Sequence, residues 1–306
     1  MKKAKKIAVI MGGLSGEREV SLASGKGVAQ ALKKQGYLVQ AIDLTEDIVA
    51  FVRDLKKFQP DVVFNAFHGA FGEDGCVQGL LNLMRLPYTH SGVLASALGM
   101  NKAETRKIAH AEGIPVAKGG LKTRAEMMSK RPPLPYVAKP NADGSSLGVV
   151  IVRTPQEHQK LLKNWGKAEY KLVEEYIPGR ELSVAVLEDK YLGTVEIVPQ
   201  KGFYDFKHKY TDGQTKHIVP APIPKTQEKL VAKYAVQIHK ALGCRGVSRS
   251  DFRYDDTNPK KPRLVFLEIN TNPGMTPLSL VPDIAKSKKI SYDELVETLV
   301  KGARCD

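Results

Sequence analysis

Short apolar runs, separated by glycine-rich or polar breaks, set the rhythm of the first third of the chain. Residues 6–11 (KIAVIM) read as a buried strand, followed by the loop GGLSG at residues 12–16. Val20, Ala23, Val28, Ala31 and Leu32 then recur at helical spacing, and Gly36 stops that helix. Residues 37–44 and 61–67 return to strand character. Strand alternating with helix predicts a parallel, doubly wound α/β sheet, and such sheets bind ligands beyond the carboxyl ends of their strands. The loop at 12–16 and the segment HGAFGEDG (residues 68–75) both fall there. No G-x-G-x-x-G follows the first strand, which speaks against dinucleotide binding.

The pattern changes after a long helical stretch, residues 93–112, which contains Lys102 and ends at Gly113 and Pro115. Residues 136–140 form a strand ending in Lys139, residues 141–148 a glycine- and serine-rich loop, and residues 149–152 the partner strand. This reads as a hairpin whose loop N–H groups could cover phosphate. Thr154 caps a helix running through Leu161 and Leu162, and residues 172–177 pass from strand into a turn at Pro178 and Gly179. Residues 180–199 look antiparallel. Residues 200–224 show no period, yet carry Phe203, Tyr204, Phe206 and Tyr210, which argue against disorder. An amphipathic helix at 226–242 ends at Gly243, and Ser291 with Glu294 forms a capping box for the last helix. No internal repeat is visible. The expected organisation is mixed α/β and α+β in three units, residues 1–98, 99–180 and 181–306.

Composition narrows the function classes. The 306 residues are 42% hydrophobic and 26% charged, an ordinary globular balance. No apolar run reaches 18 residues, so no membrane-spanning helix is expected. The basic residues 1–6 precede an apolar run too short for a signal peptide and read as a solvated tail. Cys76, Cys244 and Cys305 are scattered without metal-ligand spacing, which suits a reducing cytoplasm. The net charge of +14 is spread along the chain, with no Arg-rich tract and few aromatics, so nucleic acid is not the expected partner. Anionic small substrates, such as nucleotide phosphates, need only a few placed lysines.

The densest chemistry lies in residues 263–280. Residues 264–267 make one buried strand, after which Glu268 and Asn270 share a face and Ile269 points to the core. Two oxygen donors on one face at a strand end suit Mg²⁺. A lone Glu-x-Asn ends many solvated strands, but a second strand-like segment, residues 246–254, carries Asp251 with Arg249 on the same face. Asn272, Pro273 and Gly274 then form a turn that exposes backbone N–H groups beside the candidate metal.

In order along the chain, GGLSGEREVSL (12–22), HGAFGEDG (68–75), KPNADGSSLG (139–148), FYDFKHKY (203–210), Arg249 with Asp251, and EINTNPGMT (268–276) resemble the D-alanine–D-alanine ligases of the ATP-grasp superfamily. The resemblance covers nearly the whole chain. It departs at Asn101, where many members have Asp before the lysine.

The resemblance implies a three-domain ATP-grasp architecture, with nucleotide held between the central and C-terminal units. It also implies the reaction. A D-alanine carboxylate takes the γ-phosphate of ATP, and the amine of a second D-alanine attacks the acyl phosphate. On this pattern Lys102, Lys139 and Lys209 contact phosphates, with Ser146 in the covering loop. Glu174 meets the adenine amino group, the backbone at Glu175, Tyr176 and Ile177 the ring, and Glu181 the ribose. Asp251, Glu268 and Asn270 hold two Mg²⁺, for which Mn²⁺ can substitute. Glu17 accepts the first alanine's ammonium and is linked with Ser145 and Tyr210. Arg249 and the Gly274 N–H stabilise the oxyanion. Ser279 and Leu280 bind the second alanine's carboxylate, and His68 lies near that subsite. The segment 200–224 is expected to close over the nucleotide, with Tyr210 as its latch. D-lactate as second substrate is the competing reading. The resemblance further implies a cytoplasmic homodimer, without membrane or nucleic-acid partners.

Overall fold

The computed structural model describes residues 5–142, 144, 148–199, 215–277 and 279–306. Strand β1 (Lys6–Gly12) lies between β2 (Leu38–Leu44) and β3 (Val62–Asn65) in a parallel sheet of order β2-β1-β3. Alternation along β1 assigns the two faces. Ile7 and Val9 join one core, and Ala8 and Ile10 the other. Helix α1 (Arg18–Lys34) covers the first face through Val28, Ala31 and Leu32. Helices α2 (Ile48–Phe58) and α3 (Cys76–Leu83) cover the second through Phe51, Leu55, Val77 and Leu81. The doubly wound α/β sheet expected from the alternation is present. The apolar face expected for α1 is right only in its second half. Its first turns bury Ser21, Ser24 and Gly25, while Ala23 is exposed.

The helix expected at 93–112 is two helices, α4 (Val93–Met100) and α5 (Lys102–Ala111). Asn101 sits between them in an extended conformation, and its side chain accepts from the Glu104 N–H. A residue that caps a new helix cannot also continue the old one. Strand β4 (Gly119–Thr123) and helix α6 (Arg124–Ser129) follow. The hairpin β5 (Tyr136–Lys139) and β6 (Val150–Val152), helix α7 (Pro155–Lys163) and β7 (Tyr170–Glu175) complete an antiparallel sheet of order β4-β7-β5-β6. Tyr136, Ala138, Val152 and Val173 pack on α6 and α7 from one face of that sheet.

The third sheet has order β10-β9-β8-β11-β12 and is antiparallel, from β8 (Arg180–Leu187), β9 (Lys190–Pro199), β10 (Thr215–Ile218), β11 (Val247–Asp255) and β12 (Arg263–Asn270). Strand β10 corrects the expectation of an aperiodic 200–224, since four residues there extend the sheet edge. Residues 200–214 lie outside the described residues. Helix α8 (Lys225–Ala241) buries Val231, Ala235 and Ile238 against Leu182, Val184, Phe252 and Phe266. Helices α9 (Leu280–Ser287) and α10 (Tyr292–Lys301) pack on the opposite face and share one core with β1 and α1. The Ser291–Glu294 capping box starts α10, as expected.

One irregularity aims the chemistry. Asp251 pairs with Glu268 but Phe252 pairs with Phe266, so β12 carries one extra residue, Leu267. In a regular strand Phe266 and Glu268 would face the same way. The bulge lets Phe266 enter the core against α8 while Leu267 and Glu268 both line the cleft on the other side.

Candidate active site

The β11–β12 ladder sets four polar side chains in register. Arg249 stands opposite Asn270, and Asp251 opposite Glu268. Arg249 clasps Asp251 with two hydrogen bonds, Nε to Oδ1 at 3.0 Å and a terminal nitrogen to Oδ2 at 2.8 Å. Ser183 on the neighbouring β8 donates to Asp251 Oδ1. Lys102 Nζ lies 3.1 Å from Glu268 Oε2. The lysine is delivered by the break at Asn101, because its own backbone N–H donates to Asn141 O and the next N–H to Asn141 Oδ1. The sequence placed Arg249 with Asp251 and Glu268 with Asn270. Only the structure shows the two pairs facing each other.

This donor set fits Mg²⁺. Two carboxylates and an amide are hard oxygen ligands, and magnesium leaves the rest of its shell for phosphate and water. Among the described residues, no group of three or more His, Cys, Asp or Glu makes a closed metal cage.

Beside these pairs a cleft of about 930 Å³, open to solvent, runs between the β4-β7-β5-β6 sheet and the five-stranded sheet. Ala117, Val137, Val149, Ile151 and Leu267 make its apolar walls. Lys139, Glu174, Glu175, Tyr176, Ile177 and Glu181 all line it. Glu174 is buried between two cations, 2.6 Å from Lys139 Nζ and 2.8 Å from Arg106 Nε. Such a group is tolerated in low dielectric only because it is paired. Glu175 accepts the Lys118 N–H, and the Tyr176 N–H donates to Pro135 O. Glu181 Oε2 lies 3.6 Å from an Arg253 nitrogen. Ser145, Ser146, Lys209 and Tyr210 lie outside the described residues.

On the far side of the ladder a second hollow gathers Glu17, His68, Glu73, Lys102, Gly144, Arg249, Glu268, Asn270 and Gly274. Glu17, just before α1, is buried, and its Oε2 occupies the space that a side chain at Gly69 or Gly144 would need. His68 is held at both ring nitrogens, Nδ1 to Glu73 Oε1 and Nε2 to Ser24 Oγ, each at 3.1 Å. Burial pushes the Glu73 carboxyl above the ordinary range, against the opposing pull of His68. A third hollow opens next to it and is lined by Val20, Ala23, Arg249, Gly274, Ser279 and Leu280. Ser279 precedes α9, and its Oγ accepts the Thr276 N–H at 3.0 Å. A Cβ on Gly274 would lie 2.9 Å from that oxygen, so a side chain here would push the Ser279 hydroxyl off the Thr276 N–H.

Sequence reasoning missed Arg106, Glu73, Ser183 and Ser24. Arg106 and Glu73 carry charge into buried positions, which a helix or loop motif does not reveal. Ser24 was masked by reading α1 through its apolar residues alone. A polar stripe at Glu17, Ser21 and Ser24 is the signal that could have found it.

Comparison with known proteins agrees with this geometry. Residues 95–301 match the family model described as "D-ala D-ala ligase C-terminus", and residues 6–59 and 48–91 the one described as "D-ala D-ala ligase N-terminus". The D-alanine–D-alanine ligase of Paramagnetospirillum magneticum is 51% identical over 306 residues, covering 99% of this chain and 100% of the relative. The crystal structure of D-alanine–D-alanine ligase from Bacillus anthracis superposes with a TM-score of 0.84 at 32% identity, covering 98% of this chain and 97% of that one. A second structure of that enzyme, complexed with ATP, superposes at 0.82 and 31% identity, with the same coverage. With both halves matched and relatives alike from end to end, the chain belongs to the D-alanine–D-alanine ligase family.

Proposed function

We propose that this chain uses ATP to join two D-alanines into D-alanyl-D-alanine, the peptidoglycan precursor, through a D-alanyl phosphate. The observation that carries the reading is the in-register ladder of Arg249 with Asn270 and Asp251 with Glu268, which stands between an apolar-walled cleft holding Lys139 and Glu174 and a charged hollow holding Glu17 and His68. A phosphoryl group passed from one ligand to the other has to cross at such a ladder.

In this reading the adenine ring lies between the apolar walls of the cleft. Glu174 and the backbone at Glu175, Tyr176 and Ile177 bind its edge, and Glu181 binds the ribose. Lys102 and Lys139 turn from their carboxylate partners toward phosphate. Lys209 and Ser146 join them from the covering segments. Glu17 holds the ammonium of the first D-alanine, so that its carboxylate faces the γ-phosphate. Arg249 and the Gly274 N–H hold the oxyanion when the second amine attacks, and fixed donors are worth most where charge develops. Ser279 and Leu280 hold the second carboxylate, with His68 behind the subsite. Ser145 and Tyr210 link to Glu17, and the segment 200–224 keeps water from the acyl phosphate. Asp251, Glu268 and Asn270 would hold Mg²⁺ or Mn²⁺, whose charge offsets that of the transferring phosphoryl group.

Among the described residues no helix is long and apolar enough to cross a membrane. A cytoplasmic homodimer of units 1–98, 99–180 and 181–306 completes the reading, and light scattering checks its oligomeric state. The deciding experiment measures phosphate release from ATP with and without D-alanine, together with the product. Release that depends on D-alanine, matched by D-alanyl-D-alanine, is the expected result. Release indifferent to D-alanine overturns the reading, and product formed with D-lactate in preference at neutral pH replaces the second substrate.

A further inference from the structure

We propose that Ser24 is a positioning residue for the ligation, locking His68 and the turn that carries Gly274 into one fixed unit. The inference rests on the ligase reading, since it concerns the oxyanion donor of that reaction. Ser24 is fully buried on α1. Its Oγ lies 3.1 Å from His68 Nε2 and accepts the Met275 N–H at 3.3 Å.

A backbone N–H can only donate, so the Ser24 hydroxyl receives the Met275 proton and keeps its own proton and a second lone pair for His68 Nε2. A carboxylate can only accept, so Glu73 in its ionised form takes the ring proton at Nδ1, 3.1 Å from Oε1, and in the neutral imidazole Nε2 then turns its lone pair to the Ser24 hydroxyl. Both nitrogens of His68 are thereby committed, and its part in the reaction runs through Ser24 and Glu73.

The turn needs such an anchor. Gly274 has no side chain with which to hold its own backbone. The peptide group that follows it, ending in the Met275 N–H, is held by Ser24. The Met275 carbonyl accepts from the Tyr292 hydroxyl at 2.7 Å, and Asn272 Nδ2 donates to Phe67 O at 2.8 Å. Ser24 is the link in this set that also grips the substrate hollow. One turn earlier on the same face, Ser21 accepts the Gly12 N–H and donates to Ala66 O. The stripe of Ser21 and Ser24 therefore registers α1 against the strand ends and the oxyanion turn together.

Ser24→Ala removes both bonds and lets the Gly274 N–H drift from where the oxyanion forms. The expected result is a fall in kcat of about tenfold to a hundredfold, the scale of losing a fixed donor or misplacing one by an ångström. The KM for ATP should stay within about twofold, because the nucleotide cleft lies across the ladder. Ser24→Thr, which keeps the hydroxyl, should restore most of the rate. A nitrogen-detected NMR spectrum of the wild-type protein should show His68 protonated at Nδ1 and not at Nε2. Wild-type turnover by Ser24→Ala, equal loss of ATP affinity and rate, a Ser24→Thr variant as slow as the alanine one, or a His68 proton on Nε2 would each overturn the proposal. A wild-type protein that makes no dipeptide fails the ligase reading itself, while the His68 spectrum still decides the tautomer.

Discussion

Lys102 and Arg249 each rest on an acid, Glu268 and Asp251, so the charges of the ladder are already balanced in this structure. Ligand charges have to compete with these pairs. Glu268→Gln keeps the size of the side chain and removes one charged oxygen donor. The fold should persist, because Glu268 is partly exposed and a glutamine oxygen can still accept from Lys102, whose own burial makes this pair worth more than a surface one. Turnover should mostly disappear. Wild-type turnover by this variant at low millimolar Mg²⁺ would remove Glu268 from the metal site. Glu174 differs because it is buried with two cations, Arg106 and Lys139. Glu174→Gln leaves both without a counter-charge, at a cost of about 3–5 kcal/mol in unfolding free energy. Urea denaturation of the nucleotide-free protein measures this, and a change within error would mean that the two cations find solvent instead.

The break between α4 and α5 is the element on which the placement of Lys102 depends. Asn101 Oδ1 accepts the Glu104 N–H and the Asn141 amide, so an oxygen at that position is what matters. Asn101→Asp should therefore leave stability nearly unchanged, whereas Asn101→Ala should cost about 1 kcal/mol, the usual worth of a helix cap, and weaken ATP binding through Lys102. Equal melting temperatures for the alanine variant and the wild type would refute the capping role. This break also marks where sequence reading ran short. Residues 93–112 are helical by spacing, and a cap inside a continuous pattern produces no change of period. Strand β1, helix α8, the cap at Thr154 and the capping box at Ser291 were legible, since each is a local signal. Glu268 and Asn270 were legible as a same-face pair. The bulge at Leu267, which turns Glu268 away from the core, was not, because register belongs to two strands and the motif to one. Strand β10 is four residues long and earns its pairing from β9, so its own composition carries little trace of it.

At the scale of the molecule, the site draws on all three sheets: Glu17 and His68 beside the first, Lys139 and Glu174 on the second, Arg249 and Glu268 on the third. Their mutual placement needs the first and third sheets held in register. The core shared by β1, α1, α9 and α10 supplies the apolar part of that hold. Asp306 supplies a polar part. Its carboxylate accepts from the Val93 N–H at 2.8 Å, Asn82 Nδ2 at 3.1 Å and the Tyr88 hydroxyl at 3.2 Å. Arg245, which follows α8, lies 3.1 Å away and stacks over the Tyr88 ring. Burial acts to raise the Asp306 carboxyl, but these donors and the Arg245 charge outweigh it, and the net shift is downward. A carboxylate depressed in the folded state adds stability above its unfolded pKa of about 3.9, and that stability is lost as pH falls through the folded value. Asp306→Asn should thus destabilise the protein by about 1 kcal/mol at pH 7, a charged hydrogen-bond set discounted for its exposure. The gap to wild type should close as pH drops below about 4, where the native carboxylate also takes up a proton. Denaturation midpoints of both proteins across that range decide the matter. A gap of equal size at neutral and acid pH would mean that shape, and not charge, lets Asp306 join the two sheets.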